Sequence, residues 1–149
     1  MSINSLKFNT LMEKIESWCA SDVGILGVLL VGSYARGEAK ADSDIDLVII
    51  CDVPQKYCAD PDWIRQTFGE SKIGNLEDWG LVKSWRAHFR NGLEVEFGIT
   101  STRWCSEPEI PLGTGKVVSD GAQIVFERNR LLTELVNAVS AWKARSSRM

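Results

Sequence analysis

The sequence predicts one mixed α/β (α+β) domain, and three observations carry that reading. Two apolar runs, Ile25 to Val31 and Ile45 to Cys51, have the length and composition of buried strands. Two further strand-like stretches, Leu81 to Phe89 and Leu93 to Thr100, flank Asn91-Gly92, a strong short-range hairpin signal that makes the pair antiparallel. Helix-period segments stand near both ends, from Ser5 to Ala20 and from Leu131 to Lys143. A chain of 149 residues, 44% apolar and 25% charged, suits a single domain over 1–149 that buries its core without disulfide or metal staples.

In the first helix Leu6, Leu11, Ile15 and Trp18 recur near helical spacing, with Lys7, Glu13, Lys14 and Glu16 elsewhere. Gly24 breaks the pattern. The run from Ile25 then ends abruptly at Gly32-Ser33. Tyr34 to Ala41 suits one or two helical turns and a loop, and Asp42-Ser43-Asp44 leads into the second strand, which Pro54 closes. Asp60-Pro61-Asp62 reads as a helix start over residues 60–70, with an acidic cap, Pro at the first position, then Trp63, Ile64 and Phe68. Gly69 to Gly80 reads as loop. Pro108, Pro111, Gly113 and Gly115 make the next segment irregular, and Ala122 to Phe126 is a short strand candidate. The final helix carries Leu131, Leu132, Leu135, Val136, Val139 and Trp142.

Several function classes fall away on composition. No apolar stretch approaches the roughly 18–20 residues of a bilayer span, and Met1 to Thr10 lacks the basic-then-apolar pattern of a signal peptide, so a cytoplasmic location is expected. The four cysteines, Cys19, Cys51, Cys58 and Cys105, form no C-x-x-C pair, and the single His88 leaves little for a zinc site; free, buried thiols are expected. A net charge of −3 gives no basic footprint for nucleic acid. Lys143, Arg145 and Arg148 near the C-terminus are explained by the helix dipole without a partner.

The informative stretch is Gly32-Ser33-Tyr34-Ala35-Arg36-Gly37, followed by Ser43-Asp44-Ile45-Asp46-Leu47. Successive strand residues face opposite sides, so Asp44 and Asp46 share one face, roughly 6–7 Å apart. Desolvated like charges raise the pKa of at least one of the pair. A divalent cation removes that conflict, and oxygen-only ligands suit magnesium. A strand ending in Gly-Ser, with a helix opening behind it, offers backbone N–H groups to phosphate. A phosphate cradle beside metal-binding carboxylates is what phosphoryl or nucleotidyl transfer needs. A third carboxylate would come from Leu93-Glu94-Val95-Glu96-Phe97-Gly98-Ile99, where Glu94 and Glu96 face the same way and alternation alone does not choose between them.

These segments resemble the signature of the DNA polymerase beta nucleotidyltransferase superfamily, closest to its small prokaryotic branch, the minimal nucleotidyltransferases. Gly-Ser at a strand end, acid–apolar–acid some ten residues on, and a later acid between apolar residues make up that pattern, and Val95-Glu96-Phe97 fits its third element. The resemblance covers residues 31–50 and 95–97. It implies a nucleotidyltransferase fold with a mixed central sheet flanked by helices. It also implies that Ser33 contacts nucleotide phosphate, that Asp44, Asp46 and Glu96 hold two magnesium ions, and that the third acid acts as base towards the acceptor.

The remaining candidates are weaker. Arg36 is read equally as a phosphate contact or a surface ion pair, Tyr34 as packing, and His88 as a strand or surface residue. Lys40 and Ser43 lie near the phosphate loop by sequence alone. Gly113-Thr114-Gly115-Lys116 fails as a P-loop, because Ile110 stands where the first glycine belongs and Val117 replaces the Ser/Thr. Of six tryptophans, Trp79, Trp85 and Trp104 flank the acidic hairpin, where one or two could form a stacking wall for base or acceptor. The expected function is magnesium-dependent transfer of a nucleoside monophosphate, AMP from ATP by preference, onto a hydroxyl of a partner protein or a small molecule. Gly32, Ser33 and Arg36 would position the triphosphate. The acceptor side would involve a small helical partner protein or a second copy of the chain. The competing expectation is a catalytically silent, antitoxin-type nucleotide-binding module.

Overall fold

The computed structural model describes residues 3–40, 42–106 and 112–147. Helix α1 (Ile3–Ser21) leads into strand β1 (Ile25–Val31), a single helical turn α2 (Gly32–Ala35) and strand β2 (Ile45–Cys51). Helices α3 (Gln55–Cys58) and α4 (Asp62–Phe68) follow. Next come strands β3 (Ser71–Ile73), β4 (Glu77–Asp78), β5 (Lys83–Phe89) and β6 (Glu94–Thr100). Helices α5 (Arg103–Ser106) and α6 (Leu112–Ser119), strand β7 (Ala122–Glu127) and helix α7 (Leu131–Ser147) complete the order.

Among the described residues the strands form one seven-stranded mixed sheet in the order β3-β5-β6-β2-β1-β7, with β4 also on β5. Only β2 and β6 run parallel, with Asp46 beside Glu96 and Val48 beside Gly98. The expected mixed sheet with flanking helices is therefore present. Both faces are covered, which is why β1 and β2 read as continuous apolar runs. On one face α1 and α4 bury Leu11, Ile15, Cys19, Ile64 and Phe68 against Ile45, Leu47, Val95 and Phe97. On the other, Trp104, Val118, Leu132, Leu135 and Val139 cover Leu29, Val31, Val48 and Ile50. Arg128 ties the two halves together: its guanidinium donates to the carbonyls of Cys19 (2.6 Å) and Ile25 (2.9 Å), closing the C-terminal end of α1.

Three expectations are corrected. Residues 69–80 are not all loop, because β3 and β4 pair with β5 through contacts that local sequence does not encode. Gly113 and Gly115 lie within helix α6, where burial of Thr114 and Val118, and the Thr114 hydroxyl's bond to the Trp104 carbonyl (2.6 Å), outweigh the helix cost of glycine. Pro61 precedes helix α4 rather than opening it, and Asp60 caps the Asp62 N–H at 2.9 Å. Pro108, Pro111 and Arg148 lie outside the described residues, as do the side chains of Trp142, Lys143 and Arg145. Among the described residues no helix is long and apolar enough to cross a membrane. The four cysteines are free, and burial pushes Cys19 up to about 12 and Cys105 up to about 11, leaving inert thiols.

Candidate active site

The sheet face that is apolar at Val48 and Ile50 turns acidic one step earlier on the same strand, at Asp46, and Asp44 follows on the approach to the strand. Strand β6 repeats the change, from Gly98 and Thr100 back to Glu96 and Glu94. Because β2 and β6 are parallel with Asp46 in register with Glu96, the four carboxylates form two cross-strand pairs, Asp46 with Glu96 and Asp44 with Glu94. Adjacent strands lie about 4.8 Å apart, so each pair is in close electrostatic contact.

The electrostatics separate the two pairs. Asp46 is pushed up to about 6, first by burial and then by the charges of Glu96 and Asp44. Asp44 is also raised, by burial and by Glu94, with Arg86 pulling the other way. Glu94 is lowered, chiefly by its hydrogen bond with Asp44 and further by Arg86 and His88. Its Oε1 lies 2.9 Å from His88 Nε2 and 3.3 Å from Arg86 Nη1. Glu94 is thus engaged by Arg86 and His88, whereas Glu96 stands against Asp46 and meets Arg86 at a longer 3.6 Å.

Opposite this face, β1 ends and the chain turns at Gly32, whose φ of +74° suits glycine. A Cβ added there would meet Asp46 Oδ2 at 2.5 Å, so the turn sits directly on that carboxylate. The Gln123 side chain donates to the Ala35 carbonyl at 2.9 Å and holds α2 to the start of β7. Arg36 lays its stem over Gly121 and pairs its Nε with Glu38 at 3.2 Å, both side chains being well exposed. Tyr34 stacks on Phe8 and is packing, as expected.

A cavity of about 440 Å³ opens from this point between the sheet and helices α5 and α6. Gly32, Arg36, Asp46 and Glu96 line its polar end; Trp79, Val82, Trp104 and Val117 line its apolar end. Ser33 is outside that lining, one residue beyond Gly32 on α2. Trp79 is 62% exposed, Trp104 is buried, and Trp85 belongs to the opposite core, its indole N–H on the Tyr57 carbonyl. Of the three hairpin-flanking tryptophans, Trp79 and Trp104 therefore reach the cavity and Trp85 does not.

Sequence reasoning did not find Arg86. It faces Glu96 across the antiparallel β5–β6 ladder. The signal lay in the alternation of Ser84, Arg86 and His88 against Trp85, Ala87 and Phe89. The hairpin encloses three residues, Arg90 to Gly92, between Phe89 and Leu93, whose backbone bond is 2.9 Å. Taking Asn91-Gly92 as a two-residue loop shifts the register by one and sets Ala87 opposite Glu96.

With the turn, the acid pairs and the cavity in place, the comparisons with known proteins can be set beside the geometry. A sequence model described as a nucleotidyltransferase domain matches residues 12–105, more than half of the chain and the whole stretch from within α1 to α5. The chain belongs to the nucleotidyltransferase domain family. The match takes in Gly32, Asp44, Asp46 and Glu96 together. The comparison with curated proteins found no match to this chain. Among solved structures, a crystal structure described as a toxin-antitoxin with AMP-PNP is similar, at 10% identity and a TM-score of 0.46, over 90% of this chain and 87% of that chain.

Proposed function

We propose that this nucleotidyltransferase domain moves a nucleoside monophosphate, AMP by preference, from a nucleoside triphosphate onto an acceptor hydroxyl with magnesium at Asp44, Asp46 and Glu96. The observation that carries the reading is the meeting of Gly32, Asp46 and Glu96, from three separate segments, at the mouth of one cavity. The donor chemistry fits a hard divalent cation: oxygen-only groups, with Asp46 held above its ordinary range by burial and then by its neighbours' charge. Among the described residues no three His, Cys, Asp or Glu side chains stand as a preformed metal cluster. Asp44 and Glu94 are paired with Arg86 instead. When bound, magnesium would neutralise triphosphate charge and polarise the attacked phosphorus.

The chain's own residues supply the rest. The Gly32-Ser33 turn and Arg36 hold the triphosphate beside Asp46. Trp79 and Trp104 receive the nucleoside or an apolar part of the acceptor. Glu96 accepts the acceptor's hydroxyl proton as its oxygen bonds to the α-phosphorus and the bond to pyrophosphate breaks. A silent nucleotide-binding module is the second reading, favoured by the engagement of Asp44, Glu94 and Glu96 with Arg86.

Titration calorimetry of ATP, with and without magnesium, on the wild type and on Asp44→Asn/Asp46→Asn tests the proposal. Magnesium-dependent binding that the double variant loses is the expected result. Absence of triphosphate binding under every condition overturns it. Binding without pyrophosphate release, against both small hydroxylic acceptors and candidate protein partners, favours the silent module.

A further inference from the structure

We propose that Arg86 is a resident counter-ion of the acidic face, one that an incoming divalent cation must displace from Asp44; the inference rests on the metal-site reading above. All three guanidinium nitrogens of Arg86 are directed at carboxylates. Nη1 lies 2.7 Å from Asp44 Oδ2 and 3.3 Å from Glu94 Oε1, Nη2 lies 3.6 Å from Glu96 Oε2, and Nε lies 3.8 Å from Glu77 Oε1. One cation thus serves four acids drawn from two strands, β4 and β6, and the approach to β2. It does so at a position fixed by the register that sets Arg86 opposite Glu96.

The contact with Asp44 is the shortest of the four and occupies its Oδ2. A bidentate-capable guanidinium holds such oxygens in fixed directions, which a mobile lysine would not. Glu94 has a second partner in His88. Asp46 alone among the four site carboxylates has no ion pair with Arg86 and stands instead against Glu96 and Gly32. The acidic face is therefore divided. The Asp46–Glu96 side is open to a cation with Arg86 in place, while the Asp44 side is open only once Arg86 has moved. The metal–triphosphate complex carries its own negative charge, and it offers the displaced guanidinium a new partner beside the same site.

The test is titration of Mn²⁺ alone, with no nucleotide, into the wild type, Arg86→Gln and Arg86→Lys, followed by bound-metal spectroscopy and by melting in chelator and in Mn²⁺. A unit positive charge roughly 6 Å from a dication weakens binding about tenfold even with water-like screening. Arg86→Gln is expected to bind Mn²⁺ about tenfold more tightly than the wild type. It should melt lower in chelator, with the gap closing as Mn²⁺ saturates. Arg86→Lys, a point charge able to hold one carboxylate at a time, is expected to fall between them, and it carries the test if Arg86→Gln does not fold. Unchanged or weaker Mn²⁺ binding in the variants overturns the proposal and makes Arg86 a positioning residue for the ligands. Absence of binding in wild type and variants alike overturns the metal-site reading as well.

Discussion

Replacing Asp46 by Asn is expected to stabilise the metal-free protein at neutral pH, and the size of the effect follows from the site. Asp46 sits at about 6 against an ordinary 3.8, because it is largely buried and faces the charges of Glu96 and Asp44. Below about pH 4 the group is protonated in the folded and the unfolded chain, and it costs nothing. Between about 4 and 6 the unfolded chain releases its proton while the folded chain keeps it, so stability falls as pH rises. Above about 6 the penalty is complete and constant. Taken whole, the difference corresponds to about 3 kcal/mol. With part of the side chain in solvent, screening leaves about 1–2 kcal/mol. For a chain of this size that is roughly 2–8 °C in melting temperature. Scanning calorimetry in chelator at pH 7.5 and pH 4 would measure it: Asp46→Asn should melt higher at 7.5, and the gap should close at 4. A variant that melts at or below the wild type at pH 7.5, or by a margin that ignores pH, would refute the argument that Asp46 is a repelled, desolvated carboxylate.

Four further outcomes are expected. Gly32→Ala combines a positive φ with a Cβ that would meet Asp46 Oδ2 at 2.5 Å, and should cost about 1–3 kcal/mol of stability by denaturant titration as well as triphosphate binding. Glu96→Gln should weaken magnesium-dependent ATP binding by at least the roughly tenfold that loss of a supporting group costs a metal site. Glu94→Gln, whose carboxylate is already held by Arg86 and His88, should weaken it far less; equal, small losses would sink the assignment of Glu96 as third ligand. Trp79→Ala removes an exposed ring at the cavity and should leave the melting temperature unchanged while weakening ATP binding by about 1–3 kcal/mol, the scale of base–aromatic stacking. Arg128→Ala should do the reverse, losing about 2–3 kcal/mol of stability as the carbonyls of Cys19 and Ile25 lose their guanidinium donor, and leaving nucleotide affinity intact.

The parts of this fold legible in the sequence are those in which a single segment carries its own signal. Ile25 to Val31 and Ile45 to Cys51 read as doubly covered strands because every position but one or two is apolar, and both faces are indeed buried. Of the α1 stripe, Leu11, Ile15 and Trp18 likewise pack inward, whereas Leu6, near the start of the helix, is exposed. What escaped depends on partners far along the chain. Strands β3 and β4 exist because β5 offers an edge, and α6 tolerates two glycines because Thr114 and Val118 find burial there. The candidate site follows the same division. Asp44 and Asp46 announce themselves by spacing, but which aspartate each of Glu94 and Glu96 faces needs the parallel register of β2 with β6, and Arg86 needs the antiparallel register of β5 with β6.

Packing does not call for acids at these positions. The same sheet face carries Val48 and Ile50 immediately beyond Asp46, and helices α5 to α7 cover those residues without difficulty. Ordinary solvated carboxylates would place their charge in water, away from one another, at little cost. Asp46 does neither: it is buried enough to be held near 6, it faces Glu96 in register, and a glycine turn leaves no room between backbone and carboxylate. Acid–apolar–acid repeated at the entry to β2 and at the start of the parallel β6 brings four carboxylates together, and one arginine cannot neutralise them all. An arrangement that costs stability in the free protein, yet recovers it on binding a dication, has the thermodynamic character of a ligand site rather than of a structural element. Under the proposed function the Asp46–Glu96 pair is the centre of the ligand site, and Arg86, paired with Asp44, Glu94 and Glu96, is its counter-ion until the ligand arrives.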